Sequence, residues 1–310
     1  MSSKKPIVCL LGPTGTGKTA SIVAIADRLK PVVINFDSRQ VYEDFPIITA
    51  QPTEEEQAVC PHLLYGFLPS SEKITAARFA EMAQEAIDEV HAAGRLPVLV
   101  GGTGLYLRAL LEGLAPIPEI PEEIHDAVVM EVEEKGSPVL HEALTEFDPE
   151  YAAKIHPNDR QRIARATEVF RATGQSLSDW HSQEHKKAPY DSLKVSIRLD
   201  LDALTPRLDG RIEEMIRMGA VNEAKRAWEV TPDPEAPAWS GIGCAELLAY
   251  IRSELSLDEA RRQWAHNTRQ YAKRQITWCK KEKNMLWFEP GEHEKMADAV
   301  LSWLQDRENC

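Results

Sequence analysis

The chain has 310 residues, of which 43% are apolar and 27% charged, a balance that fits a folded globular protein and excludes a disordered one. A formal net charge of −13 argues against a protein that coats nucleic acid nonspecifically, while leaving room for a local basic groove. Apolar runs such as Ile7–Leu11 are far too short to cross a bilayer and no signal-peptide pattern is present, so a cytoplasmic protein without membrane association is expected.

The five cysteines (Cys9, Cys60, Cys244, Cys279, Cys310) are odd in number and widely spaced, with no CxxC pair. A disulfide framework or a structural zinc site is therefore not expected, and the thiols read as reduced.

In chain order, Ile7–Leu11 reads as a buried strand running into a glycine-rich turn, and Lys18–Leu29 as a helix. Val32–Phe36 is a second strand, Ala76–Ala93 a helix, Leu96–Val100 a third strand and Thr103–Leu111 another helix. Strands alternating with helices at this spacing predict an α/β fold whose parallel sheet is covered on both faces. Ligands of such a sheet bind beyond the carboxyl ends of its strands. Three prolines, Pro116, Pro118 and Pro121, then break the pattern. Between Glu119 and Glu150 there are eleven acidic residues and one lysine, read as a solvated helical surface. The balance reverses at Arg160, Arg162, Arg165 and Arg171. Residues 119–194 are expected to form a helical insertion, with Val195–Leu201 rejoining the sheet. Pro206–Trp228, Ala245–Ser253 and Leu257–Lys283 are helical, and Thr231–Pro237 is a loop.

Gly12-Pro13-Thr14-Gly15-Thr16-Gly17-Lys18-Thr19 fits GxxxxGK[ST] between a strand and a helix. Its glycines let successive backbone N–H groups point inward and, with the positive end of the following helix, hold a diphosphate. Lys18 adds a point charge and Thr19 offers a hydroxyl to Mg²⁺. The loop alone means a phosphorylated ligand without saying which. No NKxD-like guanine reader is present, and the third strand ends Val100-Gly101-Gly102-Thr103-Gly104, without the acidic residue of a usual Walker B motif. The second strand ends Asp37-Ser38-Arg39-Gln40-Val41-Tyr42. A carboxylate there can ligate Mg²⁺ through water, take a proton from a nucleophile, or merely cap a helix.

With these motifs in view, the chain resembles the bacterial tRNA dimethylallyltransferases, also called tRNA isopentenyltransferases. The resemblance runs through Gly12–Thr19, Asp37–Tyr42, Leu99–Tyr106, Ile155–Arg165, Arg207–Arg211 and Thr268–Trp278. It implies a P-loop NTPase-like fold: residues 1–118 and 195–310 form the catalytic core with C-terminal tRNA-binding helices, and 119–194 the helical insertion. It also implies transfer of a dimethylallyl group from dimethylallyl diphosphate to N6 of the adenine just 3′ of the tRNA anticodon. The P-loop-like site would then hold the prenyl diphosphate with Mg²⁺, although ATP binding belongs to the nucleotide-binding character of the motif. By the same resemblance Asp37 is the base, and Thr103 and Arg207 line the reaction centre with Lys18 and Thr19, Arg207 as a second clamp. The implied tRNA contacts are Asp37, Ser38, Arg39, Gln40, Thr103, His125, Gln161, Arg162, Ile163, Ala164, Arg165, Lys273, Arg274, Gln275 and Trp278. The family's usual pattern is altered at Gln51, at Pro61-His62-Leu63-Leu64 and at His125.

Two basic segments in an acidic chain favour local phosphate contact: Gln161–Arg165 with its neighbours, and Arg261–Lys283, with eight basic residues against Glu282 alone. The target base must be turned out of its stack to be reached, and anticodon-loop bases are already unpaired. The competing readings are a P-loop small-molecule kinase and a non-prenylating RNA-binding NTPase. A closer variant would prenylate free adenine nucleotides. Nothing in the sequence demands a dimer, so a monomer is expected.

Overall fold

The computed structural model describes residues 4–183 and 188–308. Cys310 and residues 184–187 of the expected insertion lie outside them. One compact unit comprises residues 1–111 with 189–310, and a second comprises 112–188.

The larger unit is built on six strands: β1 (Lys5–Leu11), β2 (Pro31–Asn35), β3 (His62–Leu63), β4 (Leu96–Val100), β5 (Tyr190–Ile197) and β6 (Met285–Phe288). They pair in the order β3-β2-β4-β1-β5-β6, every pair parallel. β2 and β4 are buried at each residue, as continuous apolar strands of a two-sided sheet must be. Val8, Leu10, Val33, Val98, Val195 and Ile197 join Ile22, Ile25, Met296, Ala297 and Val300 in one core cluster. Each of the Val, Leu, Ile and Met side chains among them stabilises the fold by about 1.5–3 kcal/mol through burial.

The predicted strands and helices of the first hundred residues are present, with one helix divided. The helix from Lys18 is interrupted at Ile25, whose dihedrals (φ −116°, ψ 12°) leave the helical region, and resumes as Ala26–Leu29. Lys30 then turns left-handed (φ 47°) and Pro31, which cannot continue a helix, opens β2. The strand expected from Val195 begins earlier, because β5 pairs with β1 from Lys5↔Tyr190 onwards. The helix expected from Pro206 starts at Leu201 and carries that proline inside its second turn. It ends at Arg217, and Ala220–Val230 follows as a separate helix. Several elements had no sequence-based expectation, among them the helix Glu54–Val59, β3, β6 and the helix His293–Glu308, whose Met296, Ala297 and Val300 enter the core.

The second unit is helical throughout its regular elements: Glu122–Lys135, Ser137–Phe147, Pro149–Ala152, Arg160–Thr173 and Leu177–Ser182. Val128, Leu140, Leu144, Ile163, Ala166 and Val169 form its core, and Phe147 stacks on Phe170 at 4.2 Å between centroids. Most acidic residues of this unit face solvent as expected. Asp148 and Glu168 are buried exceptions, and the Asp148 carboxylate accepts the N–H groups of Tyr151 and Ser178.

Candidate active site

Because β4 lies between β2 and β1, the tips after these three strands sit side by side at one end of the sheet. They carry Asp37, the Gly101–Gly104 segment and the P-loop.

The P-loop needs its glycines for conformation and for space. Gly15 and Gly17 have φ of 82° and 85°, and a Cβ on Gly15 would fall 2.6 Å from Leu208 Cδ2. Lys18 Nζ donates to the carbonyls of Gly12 and Pro13, both at 3.0 Å, which turns the ammonium back onto its own loop. Burial pushes the Lys18 pKa down to about 8, with the Asp37 carboxylate opposing the shift. Thr19 is half-buried at the start of the helix Lys18–Ala24.

A second cation joins Lys18. Arg211, on the helix Leu201–Arg217, donates from Nη1 to Thr14 Oγ1 at 3.3 Å. Burial depresses its pKa and Asp37 counters that as well. Arg207, the expected clamp, lies one turn earlier on the same helix face and is exposed. Arg211 was not singled out from the sequence, although the four-residue spacing in Arg207-Leu-Asp-Gly-Arg211 places both on one face.

Asp37 is held by its neighbours. Its N–H donates to Asn35 Oδ1 at 2.7 Å, and the fully buried Asn35 in turn donates from Nδ2 to the carbonyls of Asp37 and Leu64. Asp37 Oδ1 accepts the Arg39 N–H at 2.9 Å, closing an Asx turn. The carboxylate thus caps a turn, not a helix, and only one of its oxygens is used. Oδ2 accepts no hydrogen bond from the described residues.

Thr103 lies beside it. Its Oγ1 accepts the Ser38 N–H at 3.0 Å and donates to Ser38 Oγ at 3.3 Å. Tyr271 lies close by, and burial together with the nearby Asp37 charge pushes the Tyr271 pKa up. Tyr271 and Asn35 were not foreseen as site residues.

The helix Leu257–Cys279 closes the site from the other side. Gln275 is buried, accepts the Thr14 N–H at Oε1 (2.9 Å) and donates from Nε2 to the Gly102 carbonyl (3.3 Å). Expected as a tRNA contact, it is instead an internal bridge between the P-loop and the β4 tip. A Cβ on Gly102 would lie 2.0 Å from Gln275 Nε2, and one on Gly104 would lie 2.4 Å from Trp278 Cε2. Directly after β4, a Cβ on Gly101 would lie 2.6 Å from the Phe36 carbonyl carbon, so that position has no room for a side chain, an acidic one included.

A sequence profile of the IPP transferase family matches residues 40–282. The chain is 56% identical to a tRNA dimethylallyltransferase of Maridesulfovibrio salexigens, over 99% of this chain and 100% of that one. It is 55% identical to the enzyme so named from Oleidesulfovibrio alaskensis, over 92% and 93%. The chain belongs to the tRNA dimethylallyltransferase family. Its fold is similar to that of the full-length tRNA isopentenylpyrophosphate transferase from Bacillus halodurans, with a TM-score of 0.73 and 32% identity, covering 99% of this chain and 98% of that one. A eukaryotic dimethylallyltransferase acting on tRNA aligns with a TM-score of 0.76 and 30% identity, over 92% and 74%.

The remaining family positions divide into exposed and committed groups. Arg39 donates from Nη1 to Ser240 Oγ at 3.0 Å, and Gln40 Nε2 donates to the carbonyls of Thr49 and Ala50. Lys273 and Arg274 are exposed, with the Arg274 guanidinium 5.6 Å from the Tyr271 ring centroid. Glu282, the acidic residue of this basic stretch, is paired with Lys194. Arg261 and Arg269 are engaged with Glu213 and with Thr205 and Asp202, which ties their helix to Leu201–Arg217. In the second unit Gln161, Arg162 and Arg165 are exposed, while Ile163 is fully buried and Ala164 packs beside it. These two, expected as contacts, serve the core. His125 Nδ1 lies 2.8 Å from Glu168 Oε1, and Arg165 reaches Glu168 Oε2 at 3.4 Å. Among the family departures, Gln51 Nε2 donates to the Tyr42 carbonyl at 2.7 Å, and His62 Nδ1 lies 2.8 Å from the Cys60 carbonyl.

Of the described residues, Cys9, Cys60, Cys244 and Cys279 are free and buried. Burial pushes the Cys9 thiol up to about 12 and raises the other three, so all are inert at neutral pH. Among the described residues no helix is long and apolar enough to cross a membrane.

Proposed function

We propose that this enzyme transfers the dimethylallyl group of dimethylallyl diphosphate to N6 of the adenine 3′-adjacent to the anticodon of tRNA. The observation that carries the reading is Asp37: one carboxylate oxygen is fixed by the Arg39 amide, and the other is open beside the P-loop cations.

Breaking the allylic C–O bond leaves its electron pair on the diphosphate. The P-loop amides, Lys18 and Arg211 supply positive charge where that negative charge develops. Lys18 would leave the Gly12 and Pro13 carbonyls to meet the phosphate oxygens. Adenine N6 is a weak nucleophile because its lone pair is delocalised into the ring. As the new C–N bond forms, Asp37 Oδ2 would accept the N6 proton. Thr103, fixed to Ser38, lines the same crevice, and Arg207 stands one turn from Arg211 as a further cation for the diphosphate.

The donor set suits a magnesium ion carried by the substrate. Among the described residues no cluster of three His, Cys, Asp or Glu side chains could hold a metal. The Thr19 hydroxyl, which takes no hydrogen bond from the described residues, would be its protein ligand, with diphosphate oxygens and water completing the shell. Bound there, Mg²⁺ adds charge stabilisation to the leaving group.

The adenine would be flipped into the crevice. Exposed Lys273 and Arg274 would meet tRNA phosphates, as would Gln161, Arg162 and Arg165 of the second unit. The position at Gly101, closed by the Phe36 backbone, disfavours the NTP-hydrolysing alternatives, whose metal carboxylate belongs at this strand tip. The protein is read as a cytoplasmic monomer. Filter-trapping label from radioactive dimethylallyl diphosphate onto tRNA tests the proposal. Label retained on unmodified tRNA is expected, and label on free adenine nucleotides alone would replace it with the small-molecule variant.

A further inference from the structure

Glu223 is a buried carboxylate that the chemistry above does not use. It lies on the helix Ala220–Val230, is 3% exposed, and both of its oxygens are spent on backbone. Oε2 accepts the Ile47 N–H and Oε1 the Ile48 N–H, each at 2.8 Å. These two amides open a tight turn in which Thr49 N–H donates to the Phe45 carbonyl and Ala50 N–H to that of Ile47. Such leading N–H groups have no partner within their own turn, and Pro46 has none to offer. Glu223 supplies the missing acceptors from a different helix.

The turn is tied to the reaction centre by a short chain of bonds. Gln40 Nε2 donates to the carbonyls of Thr49 (3.1 Å) and Ala50 (2.6 Å). Gln40 adjoins Arg39, whose N–H is held by Asp37 Oδ1. The far side of the turn is packed as well: Ile48 Cγ2 lies where a Cβ on Gly243 would come within 2.7 Å of it.

We propose that Glu223 is a positioning residue: its ionised carboxylate holds the Phe45–Ala50 turn and, through Gln40, sets the Asp37–Gln40 segment for the incoming adenosine. This rests on the tRNA-prenylating reading for its consequence, though not for the clamp itself. Protonation would leave only one good acceptor for two N–H groups. Burial pushes the Glu223 pKa up to about 7, opposed by the two amides, so that this change falls near neutrality. The charged or titratable groups facing it are Asp44 on the turn's own loop, Arg226 on its helix, and Cys244, whose thiol burial keeps neutral.

The sign separates positioning from plain stability. A folded-state pKa raised above the unfolded value of 4.5 means that the native protein binds the extra proton. Glu223 therefore adds stability below pH 4.5 and loses that contribution as pH rises through about 7. Its hydrogen bonds to the turn change in the opposite direction, strengthening as pH rises.

The test compares wild type with Glu223→Gln between pH 6 and 8.5. Hydrogen exchange over Phe45–Gln51, corrected for intrinsic rates, reads the clamp without reference to activity. Protection of Ile47 and Ile48 should fall about tenfold or more in Glu223→Gln at pH 8, the cost of one unpaired N–H, and in wild type on going from pH 8 to 6. In steady-state prenyl transfer, KM for tRNA should rise by a similar factor while KM for dimethylallyl diphosphate stays within about twofold. The variant should lose the pH dependence of the tRNA KM. Wild-type protection that is flat across pH 7, or a variant with wild-type protection, overturns the clamp whether or not the variant's melting temperature changes. Loss of protection with an unchanged tRNA KM overturns the positioning role. A wild-type protein that labels no tRNA condemns the functional reading instead, and the exchange data still decide the clamp.

Discussion

Gln275 and Thr14 are 261 positions apart in sequence and are joined by one hydrogen bond of 2.9 Å, from the Thr14 amide to the Gln275 side-chain oxygen. That bond uses a P-loop N–H that a phosphate would otherwise compete for, and the same side chain holds the Gly102 carbonyl. The long basic helix is thus fastened to the phosphate site by a neutral residue near its C-terminal end. Gln275→Ala should strand both backbone groups in a buried setting and cost about 1–3 kcal/mol. Urea unfolding would measure that loss. KM for dimethylallyl diphosphate should rise, because the P-loop and the β4 tip lose their common brace. A variant with unaltered stability would contradict the burial of this bridge.

Asp37→Ala should lower the rate of transfer by on the order of 10²–10⁴-fold with little change in tRNA affinity. Asp37 Oδ1 serves the Arg39 amide, so part of any loss could come from a loosened turn. Asp37→Asn keeps that acceptor while removing the base, and it should be nearly as slow. Single-turnover transfer by the Asn variant at wild-type speed would remove Asp37 from the role of base.

Lys18 gives the site a pH limit. Burial holds its pKa at about 8, below the ordinary 10.5, so the ammonium is charged below that pH and progressively neutral above it. Affinity for dimethylallyl diphosphate should therefore fall as pH rises through about 8, and this fall should be absent in Lys18→Ala, which binds weakly at every pH. Thr19→Ala should raise the Mg²⁺ concentration needed for half-maximal rate. An unchanged Mg²⁺ dependence would place the ion elsewhere.

How much of this was legible in the sequence depends on whether a residue's role is local. The P-loop and the Asp37 turn could be read because their chemistry is written in consecutive residues. The choice of Arg211 over Arg207 could not: both share a helix face, and which one meets Thr14 depends on where that helix crosses the loop. Gln275 was expected among the tRNA contacts because it lies in the Thr268–Trp278 stretch that carries the family resemblance. Its spacing tells otherwise, since Ala272, Gln275 and Cys279 form the buried stripe of the helix. The same period, at Met296, Ala297 and Val300, marks the C-terminal helix that was not assigned. β6 is only four residues long, and its identity as a strand comes from pairing with β5, which no local pattern encodes.

The basic stretch of the helix Leu257–Cys279 and the residues after it can be tested through salt. Lys273 and Arg274 are exposed, and Glu282, which could have neutralised them, is paired with Lys194. If each meets one tRNA phosphate, binding releases the counterions that phosphate had condensed. Removing a contact then lowers affinity at fixed salt and flattens the plot of log K against log[salt] by about 0.7–0.9. Lys273→Ala with Arg274→Ala should flatten it by about 1–2 units, while the affinity for dimethylallyl diphosphate is retained. Arg274 also lies over the Tyr271 ring, 5.6 Å from its centroid, and Tyr271 stands beside the Asp37–Thr103 pair. Its loss could disturb the reaction centre, so Lys273→Ala alone serves as the cleaner arm, with an expected change of just under one unit. A slope difference seen only in the double variant, together with a lowered melting temperature, would assign Arg274 to packing on Tyr271. A single-variant slope equal to that of wild type would show that Lys273 faces solvent and not tRNA.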